Sequence, residues 1–304
     1  MIYTVTLNPA LDYFMDYPEI EANAVNRTAK THFAAGGKGI MESRMLSLLK
    51  TENTALGFLG GFTGNFVRDS LEQQNIKTDF TEISAETRVN VKVKTAMEET
   101  SLDAAGPELT DIDVQHFLEK FDGLEKGDSV VFAGTAPKSL GDDFYEKLIR
   151  KVKAQGAEFA VDIDERKLLD TLPMKPIIVK PNREELEEIF SVSFEKREDI
   201  IPYGKKLLAL GAQQAMVSMA GDGALLFTAD KTYFAAPAKG TVKNSVGAGD
   251  STVAGFLAEW TRTKDSLAAF RQGVACGTAK AFSEDMPTSD FITECLEQIK
   301  ITEI

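Results

Sequence analysis

Cysteine and histidine are nearly absent. The chain of 304 residues holds two of each: Cys276 and Cys295, His32 and His116. Two cysteines build no disulfide framework and show no metal-ligand spacing. The histidines lie far apart in sequence and beside no cysteine, so a His/Cys zinc site or a Ser-His-Asp triad has little to build on. Cys276, between Ala275 and Gly277, reads as a small buried residue rather than a reactive thiol, and a reducing cytoplasm suits both cysteines. No apolar run is long enough to span a bilayer. The opening residues Met1 to Leu7 lack the basic region and apolar stretch of a signal peptide and read as a strand. A cytoplasmic protein without a membrane partner is expected. Positive charge is also short. Lys and Arg number 34 against 47 Asp and Glu, a net charge of −13, which argues against a broad basic surface for nucleic acid. A small anionic substrate would need basic groups gathered locally.

What is present is a regular alternation of apolar and amphipathic segments, without internal repeats. Val130–Ala133 and Phe159–Asp162 read as buried strands, and Ile177–Lys180 as another. Ala215–Ser218 and Ala224–Phe227 are two more. Between them, residues 142–155 carry Phe144, Leu148, Ile149 and Val152 on one helical face, and a second helix is expected over residues 184–190. This rhythm predicts a parallel sheet covered by helices. Residues 10–33 and 85–105 break it. In the second, Arg88 to Thr95 alternates like a half-exposed strand, and both segments are assigned to a small secondary sheet acting as a flap; the plainer alternative is an edge of the main sheet. From Ser251 onward the chain reads as helical. Phe256 and Trp260 there are assigned to the core.

Three segments carry chemistry. The first is Asn244-Ser245-Val246-Gly247-Ala248-Gly249-Asp250-Ser251. Its small residues let main-chain N–H groups converge on an oxyanion at a helix N-terminus, and Asp250 could take a proton from a hydroxyl nucleophile. Spacing alone leaves open whether Asp250 is that base or a helix cap. The second is Phe33-Ala34-Ala35-Gly36-Gly37-Lys38-Gly39-Ile40, glycines around one lysine. It is not a P-loop, because no Ser or Thr follows Lys38; a tight turn into a helix is the plainer reading. The third is Lys180-Pro181-Asn182-Arg183-Glu184-Glu185. Asn182 and Glu185 offer oxygens to magnesium, directly or through water, and an acid-rich helix start is the alternative.

In this order the three segments resemble the ribokinase superfamily, the PfkB carbohydrate kinases, over nearly the whole chain. Thr6-Leu7-Asn8-Pro9-Ala10-Leu11-Asp12, the glycine-rich run Gly57 to Gly64, Thr87 to Lys92 and Val246 to Phe256 are most similar to the 1-phosphofructokinase and tagatose-6-phosphate kinase branch. The resemblance implies one ribokinase-like α/β domain over residues 1–304: a Rossmann-like, mostly parallel sheet flanked by helices, with a small β-sheet lid. It implies transfer of the ATP γ-phosphoryl, with Mg2+, to a ketose phosphate. Asp250 matches the family's base, and Gly247, Ala248 and Gly249 its anion hole. Asp12, Gly36, Gly37 and Lys38 match sugar-holding positions. Arg88 and Asn90 match lid positions near the substrate phosphate, joined by Arg27, and Thr135 stands where the family usually has Ser. Lys180, Asn182 and Glu185 match the ATP and magnesium region, and Ser218, Gly221, Gly223 and Asn244 the surroundings of the nucleotide. Lid pairing between subunits would make a homodimer.

The chain departs from the branch pattern where Met41-Glu42 replaces Asn-Val. Met41 cannot hydrogen-bond a sugar hydroxyl, and Glu42 adds negative charge near an anionic substrate, so altered or relaxed sugar specificity is expected. Two other readings stand beside the sugar-phosphate kinase. One is a kinase for an unphosphorylated sugar or nucleoside, against which Lys38, Arg88 and Asn90 speak. The other is a catalytically silent sugar-phosphate binder, against which the retained Asp250 speaks.

Overall fold

Apolar side chains on successive strand residues point to opposite faces, and both faces of the central strands are apolar. Val130 and Phe132 pack into one hydrophobic cluster and Val131 into another. Phe159 and Val161 likewise divide from Ala160. Such strands are stable only between two helical layers. The computed structural model, which describes residues 1–28, 30–163 and 165–304 (without the side chains of Glu165 and Arg166), has this arrangement.

Strands Glu158–Ile163, Ser129–Gly134, Ile2–Thr6, Asn53–Leu59 and Lys77–Thr78 lie side by side in that order, all parallel. The apolar segment at 177–180 differs from the expectation of a regular strand. Val179 bridges to Val161 on one side and to Ala215 on the other. Pro176 and Pro181, which bound it, have no N–H to give. Through this bridge the sheet continues into the antiparallel strands Ala215–Ser218, Ala224–Phe227, Thr232–Ala235 and Ile301–Glu303. Helix Phe144–Ala154 buries Phe144, Tyr145, Leu148, Ile149 and Val152, the one-sided pattern that its sequence shows. Phe132 is wholly buried; truncating it to Ala would cost roughly 3–5 kcal/mol.

A separate four-stranded sheet is built from Lys30–Gly36, Ala10–Asp16, Arg88–Lys94 and Glu99–Leu102, in that order. It is mixed: Ala10–Asp16 runs antiparallel to Lys30–Gly36 and parallel to Arg88–Lys94. Its first hairpin extends to Gly36, three residues beyond the break expected at residue 33. Strand Ile2–Thr6 is followed across one edge by Asn53–Leu59 and flanked on the other by Ser129–Gly134. The crevice at the carboxyl ends beside such a reversal is where open α/β sheets bind ligands.

Two long helices complete the site's frame. Ala248–Thr263 and Ser266–Ala281 pack so closely that a Cβ on Gly255 would lie 2.7 Å from Cys276 Sγ. The glycine removes that obstacle and fixes how Ala248–Thr263 aims its first turn. Phe256 is fully buried and stacks on the half-buried Trp260. Cys276 is buried, which pushes its thiol up to about 12, so it is not a reactive thiol. Among the described residues no helix is long and apolar enough to cross a membrane.

Candidate active site

A cavity of 1210 Å³ opens at the carboxyl ends of the central strands, beneath the small sheet. Thr6 and Gly134 come from the strand ends, and Asp12, Asn90 and Arg88 from the small sheet. Lys38 and Met41 come from helix Lys38–Leu48, and Gly247 and Asp250 from the start of Ala248–Thr263. Gly36, Gly37, Thr135 and Asn244 also line it. Of the sugar, lid and transfer residues expected from sequence, all but Ala248, Gly249 and Arg27 line it; Ala248 and Gly249 lie between Gly247 and Asp250 in the same first turn. Arg27 is exposed ahead of strand Lys30–Gly36 and is not among the described residues that line the cavity.

The helix that carries Asp250 begins at Gly247, whose φ of 77° is open to glycine at little cost. No side chain caps this helix start. Asp250 sits in the first turn, and among the described residues no side chain makes a capping hydrogen bond there. The Ala248 amide donates to the Ser245 carbonyl at 3.1 Å; first-turn amides without a capping side chain otherwise suit an anion. Burial raises the Asp250 carboxyl to about 7, with the negative charge of Asp162 adding to the effect and Lys38 and Lys180 opposing it. A carboxylate with that value is matched to general-base work near neutrality.

An ion network lies below. Lys38 Nζ donates to Asp162 Oδ1 at 3.3 Å, and Lys180 Nζ stands 3.8 Å from the same oxygen. Asp162 and Lys180 are buried. Burial alone would raise the Asp162 carboxyl; Lys180 and Lys38 outweigh it and hold it below the ordinary value. Burial likewise works against the Lys38 ammonium, but Asp162, Asp250 and Glu185 hold it charged. Lys180 also reaches the anion site: a Cβ on Gly249 would lie 3.2 Å from its Nζ.

The small sheet supplies the other wall. Asn90 Nδ2 donates to Asp12 Oδ1 at 2.9 Å, fixing a carboxylate that burial raises. Gly36 lies on the neighbouring strand, two residues beyond Ala34, which pairs with Asp12, and any Cβ there would strike the Asp12 carboxylate. Arg88 Nε and Nη2 donate to the Asn8 carbonyl at 3.2 and 3.0 Å, and Nη1 to the Ala104 carbonyl at 3.0 Å. The guanidinium is thus locked in place by carbonyls, with Asp103 and Asp12 acting on it electrostatically.

Asn182 and Glu185 form a reciprocal cap. Asn182 Oδ1 accepts from the Glu185 amide at 2.8 Å, and Glu185 Oε2 accepts from the Asn182 amide at 2.7 Å. Both expected roles remain compatible here, since Glu185 still acts electrostatically on Lys38 and Asp250. Among the described residues no group of three or more His, Cys, Asp or Glu could hold a metal ion alone. Magnesium needs less from protein: one or two carboxylates, with phosphates and waters completing its shell. Glu185 fits that limited part. Ser218 bridges to Asn182, with Gly221 and Gly223 in the turn that follows. These three lie beside the cavity's lining rather than in it.

Two residues of this centre, Asp162 and Lys280, escaped the sequence reading, and the burial of a third, Glu42, did too. Asp162 was legible only as the last polar residue of an apolar strand, although acids at carboxyl strand ends in α/β sheets merit suspicion. Lys280 gave no signal; it is buried in helix Ser266–Ala281 and points at the Asn244 carbonyl, 3.5 Å away. Glu42 stood out as unusual in the motif, but nothing foretold its complete burial.

Comparison with known proteins decides the family. Residues 5–288 match the pfkB family carbohydrate kinase pattern. The chain belongs to the pfkB family of carbohydrate kinases. A 1-phosphofructokinase of Bacillus subtilis is 46% identical to this kinase over 304 residues, covering 100% of both chains. A D-tagatose-1-phosphate kinase of Bacillus licheniformis is 34% identical over 305 residues, again covering 100% of both. The crystal structure of phosphofructokinase-2 from Escherichia coli in complex with substrates and products superposes with a TM-score of 0.92 at 26% identity. That superposition covers 97% of this kinase and 98% of the other chain. The α/β architecture with its small second sheet is thus that of the pfkB kinases, and this protein is a carbohydrate kinase.

Proposed function

We propose that this kinase transfers the γ-phosphoryl of ATP to a hydroxyl of a ketohexose phosphate of the fructose 1-phosphate or tagatose 6-phosphate type, giving the bisphosphate. One observation carries the reading: an uncapped helix start presenting Asp250 faces Lys38 and Arg88 across a single cavity. The sugar phosphate lies against the small sheet, its hydroxyls on Asp12 and Asn90 and its phosphate toward Arg88. Asp250 accepts the proton of the attacking hydroxyl as its oxygen bonds to the γ-phosphorus and the bond to the ADP oxygen breaks. The amides of Gly247 and Gly249, with Lys180 and Lys38, stabilise charge on the transferred group, while the Ala248 amide donates to the Ser245 carbonyl at 3.1 Å. Lys180, Asn182, Ser218, Gly221, Gly223 and Asn244 form the nucleotide side. Magnesium, held through Glu185, with Asn182 beside it, by way of water, would neutralise the phosphates. Lys38 and Arg88 supply the local positive charge that an acidic protein needs for an anionic substrate.

Met41 supports a shift in sugar preference. It lines the cavity, and a Cβ on Gly247 would lie 2.9 Å from its Cε. An apolar side chain thus stands against the anion site, offering bulk in place of a hydrogen bond. The test is ADP release from Mg-ATP with fructose 1-phosphate, tagatose 1-phosphate, tagatose 6-phosphate, fructose 6-phosphate and the free sugars. Turnover on one ketose phosphate is expected; turnover on free sugars alone, or none at all, would overturn the reading. Met41→Asn should change the ranking of these substrates, and an unchanged ranking removes Met41 from specificity.

A homodimer in the cytoplasm is proposed for the same molecule. Tyr13 opposes both Phe33 and Val91, and Val91 opposes Leu102, forming an apolar row across the small sheet. Phe33 and Leu102 in this row are more than half exposed. A second copy covering that row would remove it from water. Light scattering on the parent and Leu102→Asp should give a dimer and a monomer respectively.

A further inference from the structure

Glu42 is wholly buried, and neither carboxyl oxygen has a hydrogen-bond partner among the described residues. Buried polar atoms are rarely left so. An ionised carboxylate without a donor in such a place is costly enough that it takes up a proton instead. The surroundings say the same. Glu42 is one helical turn beyond Lys38, on the same face of helix Lys38–Leu48. The charged groups that face it are Lys38 from its own helix, Asp162 from strand Glu158–Ile163, Lys180 from the bridging segment, and Asp250 from helix Ala248–Thr263. These are two ammonium groups and two other carboxyls. Asp162 and Asp250 already balance the two lysines, so Glu42 is a surplus acid.

We propose that Glu42, as an uncharged carboxylic acid, is a positioning residue for phosphoryl transfer: it fills the space beneath the cavity floor while leaving Lys38 and Lys180 to Asp162, Asp250 and the incoming phosphates. The proposal rests on the kinase reading above and deepens it. If Glu42 ionised, it would draw Lys38 down toward itself and set a third negative charge below a polyanionic substrate. Burial first, then the charges of Asp162 and Asp250, push its carboxyl well above the ordinary value of 4.5. Asp250 lines the cavity, whereas Glu42 is shut off from it and has no hydrogen-bond partner among the described residues. The active form has Asp250 ionised and Glu42 neutral.

The experiment compares the parent with Glu42→Gln, which is neutral at every pH. kcat/KM should fall on the acid side in both, as Asp250 takes up its proton. On the alkaline side the parent should fall about tenfold per pH unit once Glu42 ionises, whereas the Gln variant stays level. An identical alkaline limb in both overturns the proposal. Two readouts do not depend on turnover. The infrared difference spectrum of parent against variant at neutral pH should contain the carbonyl band of a protonated carboxylic acid. Thermal stability should also separate the two. The folded state holds the Glu42 proton where the unfolded chain releases it, so this group's contribution is fully present below 4.5 and is lost as pH rises above that value. The advantage of the variant in Tm should thus widen as pH rises above 4.5. A missing band with a constant Tm difference means an ionised Glu42 and overturns the proposal. Should the Gln variant not fold, Glu42→Leu serves, since it asks for no hydrogen bond. A parent inactive on every sugar phosphate defeats the kinase reading together with Glu42's role in it, an outcome distinct from an active parent whose alkaline limb ignores the substitution.

Discussion

Helices Arg183–Phe190 and Ala248–Thr263 both begin at the site, and both carry an acid at the same place, three residues after the residue that opens the helix. In the first, Asn182 opens the helix and Glu185 is that acid; each side chain satisfies the other's amide. In the second, Gly247 opens the helix and Asp250 is that acid, with no capping bond at all. A capped start is stable and has its capped amides taken up by its own side chains. A start without a capping side chain leaves first-turn amides, here apart from that of Ala248, open to an anion and its acid open to take a proton. The difference comes from one residue: glycine has no side chain with which to begin a capping box.

The largest expected effect breaks the second start. Asp250→Asn removes the base and should lower kcat by about 10²–10⁴-fold, with sugar-phosphate affinity, read by calorimetry, nearly unchanged. Turnover close to the parent's would remove Asp250 from proton transfer. The pH profile carries the same point: activity should rise with pH through about 7, because the base works only when ionised and burial raises its carboxyl to that value. Next comes the substitution that turns the second start into the first. Gly247→Asn supplies the missing cap, and Asn tolerates positive φ better than most residues. Its side chain would occupy first-turn amides and crowd Met41. Turnover should fall by about 10²–10³-fold, the usual cost of one lost oxyanion donor. A variant with parent-like Tm and parent-like kcat would show that these amides do not hold the transferred group.

Most of the fold was legible because helices and buried strands write their periodicity into the sequence, as helix Phe144–Ala154 does in its buried face. Segment 177–180 was legible as apolar but not as a bridge, since the prolines at its ends weaken pairing without changing hydrophobicity. The glycine and Asp250 positions were legible because their local spacing carries the geometry. Asp162 and Lys280 were not: their importance arises from residues more than thirty positions away, Lys38 and Asn244, brought to them by the fold. The role of Asp250 was ambiguous from spacing, since base and cap use the same residue at the same place.

The smallest effect tests the first helix start. Asn182→Ala removes a cap whose loss usually costs about 1 kcal/mol. The Glu185 amide loses its acceptor, and Glu185 keeps only its bond to the residue 182 amide. A lowered Tm is expected. KM for Mg-ATP should rise modestly as Glu185 is held less firmly, with kcat reduced far less than in Asp250→Asn. The opposite pattern, an unchanged Tm with a collapse of kcat, would mean that the Asn182 amide oxygen serves the reaction directly. The contrast between a helix start that holds itself together and one that holds the substrate would then fail at its first member.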